Sequence, residues 1–214
     1  MRKISGMKVV TGYPVIYGPK QTPSPLELNR DDFLYLGKDV CIWPQAKLVN
    51  SQKISIGHKS MIDDFTFIFA GEQPIYIGKF VHIAGNCTIT GGGGLTIEDF
   101  SGTSHGVRIM TSDEDFSEGT SLTNPTVPSE FRTAISARVV IKRYALVGCN
   151  SVILPGVTIG EGCAVGSLSL VTRDLPPWTV CAGWPARPVK KRPSKKVLEL
   201  GERLLRKYPQ YQED

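Results

Sequence analysis

The sequence predicts an all-β fold: a parallel β-helix carrying one long loop insertion and a C-terminal α-helix. Three observations predict it. First, an aliphatic residue opens six successive hexads, at Ile141, Val147, Ile153, Ile159, Val165 and Val171. The fifth place of these hexads is small or β-branched: Ala145, Ser151, Val157, Cys163 and Ser169. A period of six fits neither the 3.6 of a helix nor the 2 of an ordinary strand. Three strands of about six residues per turn produce it, each sending one apolar residue into a triangular prism, with the small residue at the corner. Second, the pattern slips by two at Ile54-Ser-Ile56-Gly, Ile75-Tyr-Ile77-Gly, Leu95-Thr-Ile97-Glu and Val139-Val-Ile141-Lys, and each slip marks a new turn. Third, the turn starts at 56, 77, 97, 141 and 159 are 21, 20, 44 and 18 residues apart, so one turn alone carries about two dozen extra residues.

Taken in order, residues 1–33 form an N-terminal segment. Val9-Val10 and Val15-Ile16-Tyr17 are expected as short strands, and Pro14, Pro23 and Pro25 break anything longer. The β-helix is expected over 34–186. It opens with Leu36, Ile42 and Leu48, and continues through Ile56, Ile62 and Ile68, then Ile77, Ile83 and Ile89, then Ile97, Thr103 and Ile109. The insertion falls at about 112–138. It is acidic at its start, holds Pro125 and Pro128, and carries Phe116, Leu122, Val127 and Phe131 as apolar anchors. A long loop on a repeat scaffold is where a binding site is to be sought. The hexads end near Pro176, and 182–187 form a turn. Residues 187–214 are a basic tail whose helix runs from Ser194, the expected N-cap, to Tyr208, stopped by Pro209. Gly201 inside it weakens the helix by about 1 kcal/mol relative to Ala.

Composition excludes several functions. The net charge is +5, and residues 186–214, with nine Lys/Arg and four Asp/Glu, carry all of it. The neutral body argues against nucleic-acid binding, whereas the tail suits a local anionic partner or plain solvation. No 18-residue apolar run offers a membrane span, and Met1-Arg-Lys-Ile-Ser-Gly lacks the apolar core of a signal peptide, so a cytoplasmic location is expected. The five cysteines, 41, 87, 149, 163 and 181, show no CxxC pair. Cys87 and Cys163 stand at fifth places, where a small buried residue is wanted, and free thiols are expected.

The run from Ser151 to Thr172, the single loop excursion, and the closing Val171-Thr-Arg-Asp-Leu with Ala182-Gly-Trp-Pro-Ala-Arg-Pro-Val together resemble the hexapeptide-repeat acyltransferases. The branch most similar is that of the sugar O-acetyltransferases, including galactoside, maltose and surface-polysaccharide enzymes. The resemblance covers about 36–192. It implies a left-handed parallel β-helix, an exception to the usual right-handed crossover, and a homotrimer with each active site between two subunits. It implies acetyl-CoA as co-substrate, no metal, and transfer to a sugar hydroxyl in O-antigen or capsule synthesis. The acceptor would be free, nucleotide-linked or lipid-linked. Transfer to a sugar amine or an antibiotic remains open. The absence of a Rossmann-type domain counts slightly against nucleotide-linked amino sugars.

Acyl transfer from a thioester needs a base for the acceptor proton and donors for the tetrahedral oxyanion, but no enzyme nucleophile. The chain shows no Gly-x-Ser-x-Gly and no reactive-looking Cys. Of its three histidines, His58 is expected on a solvated face. His82 precedes Ile83-Ala-Gly, and His105 lies in the turn that carries the loop, which makes it the first candidate base. The resemblance puts the usual catalytic His where Asp113 or Glu114 stands here, so a loop carboxylate is the alternative. Asp113, Asp115 and Asn124 are the candidates for holding acceptor hydroxyls. For the donor, Gly148, Gly166 and Ser167 would let an extended pantetheine approach the backbone. The resemblance puts the nucleotide near the end of the helix, where Trp184 would stack on adenine and Arg187, Lys190, Lys191 and Arg192 would meet phosphates. Corner glycines and a solvated tail account for the same residues without a ligand.

The γ-class carbonic anhydrases share this fold but need three converging zinc ligands, two of them as His-x4-His. Here the histidines are 24 and 23 residues apart, at different hexad places. A non-catalytic hexad scaffold is favoured by the missing His in the usual slot and opposed by the loop and basic tail.

Overall fold

The computed structural model describes residues 28–115 and 118–212. The strands expected at 9–10 and 15–17, and the anchor Phe116, lie outside the described residues. Three parallel sheets form the faces of a β-helix. The first holds Tyr35–Leu36, Ile54–Ile56, Ile75–Ile77, Leu95–Ile97, Val139–Ile141 and Thr158–Ile159, in that spatial order. The second opens with Cys41–Ile42 and has eight strands, and the third opens with Lys47–Val49 and has six.

Strands of two or three residues cannot stand alone, so each is held by the coil above and the coil below. Gly57 N–H donates to Ile77 O at 2.7 Å, and Glu98 N–H to Ile141 O at 2.8 Å. The register stacks the hexad-opening residues into columns. Ile56, Ile77, Ile97, Ile141 and Ile159 align in the first sheet. Ile62, Ile83, Thr103, Val147, Val165 and Cys181 align in the second. Nearly all are sealed from solvent, and each buried Ile contributes about 1.5–3 kcal/mol. The slip signature has its own cause. A Cβ on Gly57 would lie 2.6 Å from the Gly78 carbonyl carbon, and one on Gly78 would lie 2.8 Å from Asp99 N. In these two coils the residue after the strand must lack a side chain, whereas Glu98 and Lys142 take the same place in the next two.

One corner carries an aromatic ladder. Phe80, Phe100 and Tyr144 take the same place in successive coils with φ of 55°, 59° and 60°, a left-handed conformation that costs a non-glycine residue about 1–2 kcal/mol. Stacking offsets the cost. The Phe80 and Phe100 rings are 5.1 Å apart and 10° from parallel, and the Phe100 and Tyr144 rings 5.2 Å apart and 8° from parallel. The C-terminal helix, Lys195–Lys207, lies against this ladder. Ser194 precedes it, with helical φ and ψ and no capping bond from its side chain, unlike the expected N-cap. Beyond the helix, Tyr211 sits edge-on to Phe80 at 5.6 Å and donates its hydroxyl to Asp39.

The far end is closed by a hairpin that hexad counting does not reveal. Thr179–Gly183 runs parallel to Ala164–Val165, and Ala186–Lys191 returns antiparallel along the edge. The boundary expected at 186/187 therefore falls inside a strand. Arg187, Lys190 and Lys191 stand exposed on that edge, where charge discourages pairing with another chain. The insertion departs after Arg108–Met110 of the third sheet and returns at Val139–Ile141 of the first. Its base is an antiparallel pair, Ser112–Glu114 with Ala134–Ser136.

Candidate functional site

The outward column of the second sheet runs Met61, His82, Gly102, Leu146. Gly102 is the gap in it. A Cβ there would lie 2.8 Å from His82 O, and without one the sheet is bare between His82 and Leu146. The resulting cavity is about 420 Å³, with Ser104, His105 and Cys149 on one side and Phe100, Tyr144 and Arg192 on the other.

His82 enters this cavity already paired. Its Nε2 is 2.9 Å from Asp63 Oδ2 of the preceding coil, and the two side chains are 47% and 12% exposed. Asp63 Oδ1 is buried and has no hydrogen-bond partner among the described residues. His105 stands one coil further along, exposed, at the corner between the second and third sheets. Gly85 separates the groups: its Cβ position is 3.6 Å from His105 Cδ2 and 3.8 Å from Asp63 Cβ. His58 is elsewhere and is buried, correcting the solvated face expected for it. Its Nδ1 accepts from Lys38 N–H at 2.7 Å and its Nε2 lies 3.3 Å from Tyr35 Oη.

A second cavity of about 530 Å³ lies over the first sheet, around Tyr76, Thr96 and Arg143. The two acids on its wall are engaged, Glu98 with Lys142 at 2.8 Å and Asp99 with Arg143 at 3.6 Å. It contains no imidazole, so the smaller cavity is the better seat for acid–base chemistry. No group of three or more His, Cys, Asp or Glu among the described residues could hold a metal ion.

Residues 138–173 match the family Bacterial transferase hexapeptide (six repeats). The chain is 41% identical over 175 residues to the dTDP-4-amino-4,6-dideoxy-D-glucose acyltransferase of Escherichia coli, covering 82% of this chain and 90% of that one. The chain belongs to the hexapeptide-repeat acyltransferases. Among solved structures it is similar to AntD, an N-acyltransferase from Bacillus cereus. One AntD structure holds dTDP and 3-hydroxybutyryl-CoA (35% identity, 82% of this chain and 92% of that one, TM-score 0.76). Another, a variant, holds dTDP-4-amino-4,6-dideoxyglucose and coenzyme A (34%, 82% and 92%, TM-score 0.77). A more partial likeness, 32% over 120 residues, is to the lipopolysaccharide biosynthesis O-acetyl transferase WbbJ of E. coli K12, covering 55% of this chain and 57% of WbbJ. The missing Rossmann-type domain therefore does not count against a nucleotide-linked amino sugar. A relative named for a nucleotide-linked amino sugar is matched over 90% of its length, which leaves no room for such a domain in that relative either.

Within this acyltransferase the expected residues fall into three places. His105, Cys149 and Ser167 occupy one corner in successive coils, held by Asn150 N–H on His105 O at 2.9 Å and Leu168 N–H on Cys149 O at 2.8 Å. The corner leads on to Gly183 and the exposed Trp184. At about 4.8 Å per coil, the edge from His105 to Gly183 is about 14 Å long. Gly148 and Gly166 lie beside it, but their missing side chains serve the next coil. A Cβ would meet Ser167 N at 2.5 Å and Ala182 Cβ at 2.9 Å respectively. Arg187, Lys190 and Lys191 are on the terminal edge strand, where Arg187 Nη1 donates to Ala186 O at 2.9 Å.

Asp113, Glu114, Asp115 and Asn124 are in the insertion, at a different corner from His105, with Arg108–Met110 between. They hold the loop together. Asp113 accepts from Glu114 N–H at 2.9 Å, and Glu114 accepts from Asn124 N–H and faces Arg132 Nη1 at 3.8 Å. Asp115 is buried and accepts from the Thr120 hydroxyl at 2.6 Å, and Asn124 Oδ1 accepts from Thr126 N–H at 3.0 Å. Sequence reasoning gave Asp63 no part, because nothing in its own hexad marks it. The available signal was its register: Asp63 lies two places beyond Met61, the residue one coil of 21 before His82, and so sits diagonal to it.

Proposed function

We propose that the protein transfers an acyl group from acyl-CoA to the amino group of a nucleotide-linked amino-deoxy sugar. The observation that carries this is the similarity, over nearly the whole β-helix, to acyltransferases named for or solved with dTDP-4-amino-4,6-dideoxyglucose. The sugar-hydroxyl acceptor expected from sequence is the second reading, favoured by the partial likeness to WbbJ. The cavity at His82, Gly102 and His105 would seat the reacting centre, and its imidazoles would supply the base. The edge past Cys149 and Ser167 toward Trp184 would take the pantetheine arm, since its length suits an extended chain. Arg187, Lys190 and Lys191 would then face the phosphates of coenzyme A. The corner that carries the loop is not the corner that carries His105, so the acidic loop residues Asp113, Glu114 and Asp115 and the loop's Asn124 would meet a neighbouring copy's cavity in a homotrimer. The chemistry needs no metal.

The test is an acceptor panel with acetyl-CoA and longer acyl-CoAs, read by coenzyme A thiol release and product mass. Turnover of dTDP-4-amino-4,6-dideoxyglucose at least a hundredfold above free sugars is expected. Acylation confined to sugar hydroxyls would select the second reading. Coenzyme A binding without transfer to any acceptor would overturn both.

A further inference from the structure

We infer that His82, oriented by Asp63, is the acid–base residue of the transfer, rather than His105 or a loop carboxylate. The inference rests on the acyl-transfer reading of the same cavity. Asp63 Oδ2, 2.9 Å from His82 Nε2, accepts a hydrogen bond from the N–H of that nitrogen and leaves Nδ1 as the acceptor. This is the arrangement in which a carboxylate fixes the tautomer of a basic imidazole. His105 has no such partner: its ring makes no hydrogen bond or ion pair among the described residues. Asp113, Glu114 and Asp115 are engaged within the insertion by Glu114 N–H, Arg132 and Thr120. The surroundings of the pair also differ from those of an incidental surface contact. Asp63 is nearly buried, and its second oxygen is sealed from solvent with no donor among the described residues. Such a burden on stability persists where a site uses it. Gly102 brings no side chain to the cavity beside His82, which Ser104 and Cys149 also line.

In the step, the acceptor N–H or O–H attacks the thioester carbonyl carbon while His82 Nδ1 takes its proton. The C–S bond then breaks, and the imidazolium returns the proton to the leaving sulfur. Acyl-CoA and acceptor give acylated acceptor and coenzyme A thiol, with no other reactant. Asp63 is the positioning residue and touches neither substrate.

Three variants test it: His82→Gln, Asp63→Asn and His105→Gln, each checked for wild-type thermal midpoint and coenzyme A affinity. His82→Gln is expected to lower kcat by about 10²–10⁴-fold with coenzyme A binding within twofold, and to abolish the acid limb of the kcat/KM profile. Asp63→Asn is expected to lower kcat more than it raises KM. A purely structural aspartate would instead lower the thermal midpoint without separating kcat from KM. His105→Gln is expected to cost about tenfold. Near-normal turnover in His82→Gln, or a deeper loss in His105→Gln, would overturn the inference while leaving acyl transfer intact. An inactive wild type would instead indict the acyl-transfer reading. The ring nitrogens can be read without turnover: imidazole ¹⁵N shifts should put the neutral His82 proton on Nε2, and a proton on Nδ1 would sink the pair.

Discussion

Single residues here answer to what lies one coil away rather than to their sequence neighbours. The cysteines make this testable. Cys87, Cys163 and Cys181 are buried, whereas Cys41 and Cys149 are partly exposed and Cys149 lines the cavity. Iodoacetamide should therefore modify Cys149 and Cys41 first. Bound acyl-CoA should slow Cys149 alone, as peptide mass mapping would report. Burial, with Cys181 alongside, pushes the Cys163 thiol from 9.0 up to about 12. The unfolded chain releases this proton near pH 9 and the folded chain keeps it. Stability is thus unaffected below pH 9 and falls between 9 and 12, by at most about 1.4 kcal/mol per pH unit. Urea titrations at pH 8 and 10.5 should show the fall, and Cys163→Ala should reduce it, with the raised thiols of Cys41, Cys87 and Cys181 keeping the remainder.

At the scale of elements, the C-terminal helix separates propensity from packing. Intrinsic preference says that Gly201→Ala should stabilise by about 1 kcal/mol. The fold predicts the opposite, because Gly201 is buried and a Cβ there would lie 2.1 Å from Tyr144 Oη. A loss of about 1–3 kcal/mol is expected from overpacking. Tyr144→Phe should recover part of it in a double-mutant cycle. In the coils, Ile83→Ala should cost about 2–5 kcal/mol in chemical denaturation, since Ile83 is fully buried between Ile62 and Thr103. The coils themselves were legible from hexads and slips, because each inward residue is visible as a period in one dimension. The closing hairpin was not. Its strands satisfy pairing with Ala164–Val165 without repeating the hexad, and Gly183, Trp184 and Pro185 announce only a turn.

At the scale of the whole molecule, the placement of the insertion argues for assembly. Its residues leave one corner while His105 occupies another, so a homotrimer would bring them together across an interface. Sedimentation should give a species of about 70 kDa, three chains of 23.4 kDa. A stable monomer with full activity would remove the shared-site argument. The sequence by itself determined the β-helix, the position and size of the insertion, the C-terminal helix and the acyltransferase family, because these follow from periods and spacings along one chain. Only the tertiary structure decided which chemistry-bearing residues meet. Asp63 reaches His82 because coils stack at strand spacing, Gly102 opens a cavity because its neighbours in the sheet are His82 and Leu146, and Gly201 is required because Tyr144 lies beneath it. None of these contacts leaves a local pattern, since each joins residues separated by about one coil or more.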